Sequence, residues 1–397
     1  MATPANHTLI VEPADGRSSV LATISGAVRA IDLTIYELTD PGTVDALVAA
    51  QGRGVAVRVL YNWYSFDAAT QASDVTPTVQ RLTAAGVQCR PAPRDFAVTH
   101  EKACVIDGRQ ALVLTFNLSA EYFESTRDFG IVSSVATEVA EIEAVFEADW
   151  SSQPVTPQVA TLVWSPTNSR SRLLALIGGA THTLEVYNEE LSDPGILGAL
   201  VAAAARGVVV RVIAAVLASE DSSNGNARGI TYLRSGGVQA VCKAFPVPTP
   251  TGTAPIYIHA KVVVADFGTP SAAAFVGSEN FSCESLNDNR ECGILVDETS
   301  ILERIESTFQ SDWAEPSVTV TPDTSPLTPC PAGSFAERRA SSPIASVTPA
   351  PNPSGPERRS SPPGPRGMRV TDGQSGEGGT GEFPRAPTGR AAAYGRT

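Results

Sequence analysis

Lysine is nearly missing from this chain: of 397 residues only Lys102, Lys243 and Lys261 carry an ammonium group, and histidine occurs only at His7, His100, His182 and His259. Long apolar runs are missing as well. No stretch approaches the ~18 consecutive apolar residues that a membrane span requires. The opening Met1-Ala2-Thr3-Pro4 lacks the basic start and the roughly 7–15-residue apolar stretch of a secretion signal. No membrane-spanning helix is expected, and a soluble, cytoplasmic protein is the default, with export by another route left open. Positive charge is short overall, 29 Lys and Arg against 42 Asp and Glu, for a net −13. That balance argues against affinity for nucleic acid or anionic membranes through a broad basic surface, while leaving room for a local basic pocket. The six cysteines, at 89, 104, 242, 283, 292 and 330, form no C-x-x-C pair. Their scatter points to neither a zinc site nor a disulfide framework, and all six read as free thiols.

What the chain does contain is two copies of one unit. Thr8-Leu-Ile-Val11 corresponds to Thr161-Leu-Val-Trp164, Pro13 to Pro166, Asp40-Pro41 to Asp193-Pro194 and Arg53-Gly54 to Arg206-Gly207. Further on Gly86-Val87-Gln88 corresponds to Gly237-Val238-Gln239, and each copy closes on an aromatic–acid–Trp sequence, Phe146…Asp149-Trp150 and Phe309…Asp312-Trp313. So many matches in one order mark an internal duplication. In each copy an apolar strand is followed by a helix opening on Asp-Pro, with the acid as cap and proline in the first turn, and stopping at Arg-Gly. A β-branched run comes next, Val55–Leu60 or Val208–Ile213. This alternation predicts α/β layering on a largely parallel sheet. Residues 1–153 and 154–313 are the two repeats. Residues 314–397 hold half of the chain's 30 prolines and almost no apolar periodicity, so they read as a disordered tail. Its Arg338-Arg339 and Arg358-Arg359 pairs are read as solvated.

Two of the three lysines stand at matching places, each two residues after a histidine. The first motif is His100-Glu-Lys102-Ala-Cys-Val-Ile-Asp107, followed by Leu114-Thr115-Phe-Asn117; the second is His259-Ala-Lys261-Val-Val-Val-Ala-Asp266, followed by Gly277-Ser278-Glu-Asn280. On an extended strand the i, i+2 spacing puts His and Lys on one face. Asp107 and Asp266 read as structural, holding the turn after the motif strand. His182 reads as a surface or helix-end residue, His7 as lying ahead of the fold, and Trp150 and Trp313 as core. Tyr36 and Tyr187 end equivalent strands, where packing and ligand contact are equally open.

The pattern H-x-K-x4-D followed by G-S-x-N resembles the phospholipase D superfamily over residues ~8 to ~313. The second copy fits every named position, whereas the first has Leu114 for glycine and Thr115 for serine. The resemblance implies two tandem α/β/α sandwich repeats about a pseudo-twofold, sharing one active site built from His100, Lys102, His259 and Lys261. It also implies that a carboxylate downstream of each motif, Asp128 in Thr126-Arg127-Asp128 and Glu291 in Asn289-Arg290-Glu291, orients a motif histidine. A phosphodiester is an anion that repels nucleophiles, so its oxygens must first be neutralised. Lys102 and Lys261 would supply charge, and Asn117, Asn280, Ser278 and Thr115 hydrogen bonds. One imidazole then forms a phosphohistidine while the other protonates the leaving alkoxide; which is which stays open. No metal or other cofactor is called for. Gly277 would admit the backbone close to a phosphate, and Leu114 would narrow that approach in the first half. The expected substrate is a phospholipid met by peripheral membrane contact, through a wide apolar-rimmed cleft, by a monomer that hydrolyses or transfers its phosphatidyl group. A metal-independent nuclease is disfavoured by the acidic repeats, and a non-catalytic phosphate-binding scaffold has Leu114 as its support.

Overall fold

The computed structural model describes residues 6–62, 75–217, 224–333, 335, 337 and 338. In the first repeat the elements run β1 His7–Glu12, α1 Ser18–Ser25, β2 Ala30–Ile35, α2 Pro41–Gly52, β3 Ala56–Tyr61 and α3 Val75–Ala84. They continue as β4 Gln88–Pro91, β5 Lys102–Ile106, β6 Gln110–Leu114, α4 Ala120–Glu124, β7 Thr126–Ser133 and α5 Ala136–Trp150. The second repeat runs β8 Leu162–Ser165, α6 Ser169–Gly179, β9 Thr183–Asn188, α7 Pro194–Ala205, β10 Val209–Ala214, α8 Ala227–Ser235 and β11 Gln239–Lys243. After it come β12 Pro246–Thr249, β13 Gly252–Pro255, β14 Tyr257–Ile258, β15 Val262–Ala265, β16 Ala273–Gly277, α9 Cys283–Asn287, β17 Glu291–Val296, α10 Thr299–Ala314 and β18 Ser317–Val318.

The duplication is complete at the level of topology. One sheet is ordered β1-β7-β6-β5-β2-β3-β4; the other repeats that order as β8-β17-β16-β15-β9-β10-β11, with β18 added at its edge. The sheets are mixed, not largely parallel. Among the described strands of each repeat, β2–β3–β4 and β9–β10–β11 pair in parallel because there a helix carries the chain back across the sheet, and between the repeats β14 adds to β7 in parallel. The motif strands are joined by short turns, and those turns force antiparallel pairing of β5 with β6 and β15 with β16.

Local rules read from the sequence operate as expected at the helix ends. Asp40 accepts from the Thr43 amide and Asp193 from the Ile196 amide, both at 2.8 Å, with proline at the first turn. Gly54 and Gly207 follow the helices at φ +90° and +94°, a left-handed geometry that favours glycine. Asp107 and Asp266 are structural. Asp107 accepts from the amides of Val28, Arg29 and Ala30, and Asp266 from those of Thr181, His182 and Thr183. Burial alone would raise both carboxyls, but these amides hold them below the usual carboxylate range. Each thereby ties the end of a motif strand to the start of the neighbouring antiparallel strand, β2 or β9. His182 is exposed at the head of β9.

The central core is shared. α5 and α10 lie between the two sheets, and Val139, Ile142 and Val145 pack in one cluster with Ile301, Ile305 and Phe309. The outer helices cover the other faces: α1 and α2 on the first sheet, α6, α7 and α8 on the second. Trp150 is buried and stacks on Phe146; Trp313, half-buried, stacks on Phe309. The third lysine has a comparable neighbour: Arg90 lies over Trp150, and Lys243, two residues further along β11 than the place matching Arg90, lies over Trp313.

Three expectations are corrected. His7 belongs to the fold: in β1 it bridges Glu138 of α5 and Glu298 at the start of α10, and these carboxylates raise its pKa against the lowering effect of burial. The cysteines are not all free thiols, because Cys283 and Cys330 form a disulfide across 47 residues; Cys89, Cys104, Cys242 and Cys292 are free. Order does not end at 313. β18 pairs with β11, Val320 is buried against the second repeat, and Asp323 meets Arg228 on the way to Cys330. The remainder of the tail, residues 339–397 with the Arg358-Arg359 pair, lies outside the described residues.

Candidate active site

The strand segment leading into each motif crosses to the other repeat. β14, just ahead of His259, pairs in parallel with the start of β7, and Thr99, just ahead of His100, bridges to Arg290 at the start of β17. The His259 amide donates to the Arg127 carbonyl and the His100 amide to the Arg290 carbonyl. Since Asp128 and Glu291 are the next residues, this exchange brings each imidazole to a carboxylate of the opposite repeat. His100 Nδ1 lies 2.8 Å from Glu291 and His259 Nδ1 2.9 Å from Asp128. Two buried arginines lock the exchange. Arg127 forks onto Asp312 at 2.6 and 2.9 Å, and Arg290 onto Asp149 at 2.8 and 2.8 Å, again between repeats. The aromatic–acid–Trp endings noted in the sequence are thus the docking points of these arginines.

Lys102 and Lys261 are fully buried, and each ammonium donates to the carbonyl of its own motif histidine. Lys102 also lies 5.0 Å from the Tyr36 ring centroid, and Lys261 lies 2.8 Å from Glu189. The two halves lie close enough for the Lys261 charge to act on both His100 and Lys102. Burial pushes His100 down to about 4 and Lys102 down to about 7. Lys261 adds to both shifts, against the opposing pull of Glu291. Tyr36 packs edge-on against His100 and Tyr122 against His259, at 4.8 and 4.7 Å between ring centroids. Both imidazoles are buried, at 6% and 3% exposure.

Not every expected donor faces this centre. The Thr115 hydroxyl donates to Asp128 at 2.6 Å and accepts from the Phe129 amide, while Ser278 accepts from the Cys292 amide and helps hold Glu291 ionised. Both hydroxyls sit behind the carboxylates and are not aimed at an incoming phosphate. Asn117 and Asn280 donate to Glu37 at 3.2 Å and to Glu189 at 3.4 Å. The glycine argument also changes. Gly277 faces Gly293 across the sheet, and a Cβ there would meet Gly293 and the Glu279 side chain at 2.5 and 2.4 Å. Leu114 occupies the matching place in the first sheet by lying over Gly130, inside the core, and so does not narrow the site. A cavity of about 580 Å³ lined by Pro13, Arg17, Phe123, Val247 and Pro248 borders α4, but neither histidine lines it. The expected cleft opening onto the histidines is therefore not this one.

The family described as cardiolipin synthase, PLD-like domain, matches residues 20–150 and again 173–313. The chain belongs to the phospholipase D-like family. Among curated relatives of this phospholipase D-like protein is the mitochondrial cardiolipin hydrolase of Xenopus laevis, 31% identical over 134 residues, which are 34% of this chain and 60% of that protein. The match thus spans less than two thirds of the relative. Among solved structures, phosphatidylserine synthase of Haemophilus influenzae superposes with a TM-score of 0.60 at 13% identity, over 79% of this chain and 87% of that one. Polyphosphate kinase of Porphyromonas gingivalis gives 0.59 at 16% identity, over 84% and 55%. At such identities these two establish the fold alone.

Several residues of the site escaped the sequence reading. Tyr36 and Tyr187 are not equivalent. Thr34 faces Ala103 and Tyr187 faces Val262, each next to a motif lysine, so Tyr36 matches Glu189. Tyr187 itself is core, donating to Asp312 at 2.7 Å. The signal for Glu189 was the doubled acid in Tyr187-Asn-Glu-Glu190, against the single acid of Tyr36-Glu37. Tyr122 carried no signal, since only the crossing of the repeats brings it to His259, whereas Tyr257, two residues ahead of His259, was missed although the sequence places it nearby.

Proposed function

We propose that this phospholipase D-like protein cleaves or transfers the phosphatidyl group of phospholipids through a phosphohistidine on His100. The observation that carries the reading is the exchange of imidazole–carboxylate pairs between repeats, His100 with Glu291 and His259 with Asp128, around two buried lysines. Held down at about 4, His100 is neutral at pH 7 and offers its Nε2 lone pair. His259 lies with Nδ1 2.9 Å from Asp128 and Nε2 3.5 Å from Glu189, and the acid's part falls to it as the partner imidazole.

In the first step His100 Nε2 bonds to phosphorus, the bond from phosphorus to the leaving oxygen breaks, and His259 gives that oxygen its proton. In the second, neutral His259 takes a proton from water or an alcohol as its oxygen attacks phosphorus, and the phosphorus–nitrogen bond breaks to restore His100. Lys102, Lys261, Asn117 and Asn280 stabilise the phosphoryl oxygens, where charge builds; Glu291 and Asp128 fix the imidazole tautomers. The phospholipid substrate is proposed from the lipid chemistry named in two similar proteins, a cardiolipin hydrolase and a phosphatidylserine synthase. No helix among the described residues is long and apolar enough to cross a membrane, so contact with lipid would be peripheral. The Cys283–Cys330 bond favours an oxidising compartment over the cytoplasm.

Alcohol release from cardiolipin, phosphatidylglycerol and phosphatidylcholine vesicles, beside turnover of a soluble aryl phosphodiester, tests this reading. His100→Ala and His259→Ala should each remove most activity, with a phosphoenzyme trapped in His259→Ala and none in His100→Ala. Full activity in either variant, or DNA cleavage without lipid cleavage, would overturn it.

A further inference from the structure

The two halves of the site differ at several matched positions, and one of these differences lies beside the motif lysines and histidines, where substrate has to go. Tyr36 sets an aromatic ring against Lys102 and His100; Glu189 sets a carboxylate against Lys261 and His259. A single oxygen of that carboxylate, Oε2, lies 2.8 Å from Lys261 Nζ, 3.4 Å from Asn280 Nδ2 and 3.5 Å from His259 Nε2. On this side the proposed function assigns Lys261 and Asn280 to the phosphoryl oxygens and His259 to the leaving oxygen. The other oxygen accepts from the Tyr257 hydroxyl at 2.8 Å, which fixes the carboxylate in place. Burial by itself would raise this carboxyl, yet the Lys261 ammonium and the His259 ring hold it below the usual carboxylate range, so it remains an anion.

Resting on the proposed function, we propose that Glu189 is a specificity-determining residue: an internal anion in the place of one phosphoryl oxygen, which yields to a singly charged phosphodiester and turns away doubly charged phosphomonoesters. An entering diester takes the Lys261 and Asn280 contacts with one negative charge, and the displaced carboxylate stays next to it on the Tyr257 side. A monoester carries close to two charges at neutral pH, and its second charge would stand against that same carboxylate. The selection serves turnover. Hydrolysis of a phospholipid leaves a phosphomonoester lipid, and Glu189 returning to Lys261 helps to expel it.

Inorganic phosphate is the probe, measured as a competitive inhibitor of aryl phosphodiester turnover and, separately, by calorimetry on the full chain. Removing one unit charge at contact distance in Glu189→Gln should tighten phosphate binding at least about tenfold while the diester KM changes less than about threefold. Lys261→Ala in the Glu189→Gln background should abolish that gain, which locates the ion in this half of the site. Equal phosphate binding by wild type and Glu189→Gln, with diester turnover intact, would refute the role of Glu189 and leave the proposed function standing. An equal tightening of diester and phosphate would also refute it, as charge relief without selection. Tighter phosphate binding in a protein that turns over no diester would uphold Glu189 and sink the proposed function.

Discussion

Alkaline pH should switch off the proposed reaction by discharging Lys102. Its ammonium is fully buried, with Lys261 near, and its pKa is pushed down to about 7 although Glu291, Glu37 and Glu189 pull the other way. His100, the proposed nucleophile, deprotonates at about 4. A plot of kcat/KM, which reports the free enzyme, should therefore be flat between about pH 4 and about pH 7 and fall about tenfold per unit above. At pH 8.5 only about 3% of Lys102 stays charged, so kcat/KM should lie about thirtyfold below its plateau. Bound diester puts an anion beside the ammonium and raises its pKa, so kcat should fall only at higher pH. Replacing Glu37 by Gln removes a carboxylate that favours the charged lysine, and the limb should move to lower pH. A soluble aryl phosphodiester, assayed from about pH 4 to about pH 9.5, avoids the titration of lipid headgroups. Circular dichroism must accompany it, because Glu12 and Glu101 are buried and raised to about 8. Carboxyls raised in the folded state destabilise it progressively as pH climbs from their unfolded value toward 8. A profile flat to pH 9, or a limb that moves upward in Glu37→Gln, would refute the assignment.

Breaking the Arg127–Asp312 fork with Arg127→Met should cost about 3–5 kcal/mol in urea unfolding by leaving Asp312 buried and unpaired, and Arg127→Met with Asp312→Leu should recover much of it. The exposed Arg81–Asp45 pair serves as the control, where the loss should stay under about 1 kcal/mol. Thr115→Val removes the hydroxyl behind Asp128 and should lower kcat about tenfold, with Thr115→Ser restoring it. Cys330→Ser opens a 47-residue loop, and the entropy of that loop predicts a loss of about 4 kcal/mol, read as a lower melting temperature that reductant also produces in the wild type.

The repeat, its helix caps and the motif residues could be read from the sequence because they are local signals. Asp40-Pro41 caps a helix by its own neighbours, and an i, i+2 His–Lys pair needs only a strand. What could not be read depends on which strands and loops the fold brings together. The family resemblance pointed to Asp128 and Glu291 as orienting carboxylates, but which histidine each serves rests on the crossing of the repeats, where Thr99 meets Arg290 and Tyr257 meets Thr126. Thr115 and Ser278 were placed on the wrong side of the site because a hydroxyl's direction is set by the strand pairing around it. The largely parallel sheet failed for a related reason: strand–helix–strand grammar describes β2–β3–β4, and the hairpins that carry the motifs obey turn geometry instead. Cys330 sits in a proline-rich stretch whose composition gave no sign of a partner in α9.

The mismatch of Tyr36 and Glu189 shows what joining the halves in one chain makes available. A site assembled from two identical protomers would have to present two tyrosines or two glutamates at this position, the same group on both sides of its symmetry axis. With both halves encoded in a single polypeptide, each side can be altered without touching its twin, and one flank can receive an aromatic ring while the other receives an acid. Covalent linkage here is a route to division of labour as well as a way of keeping partners together.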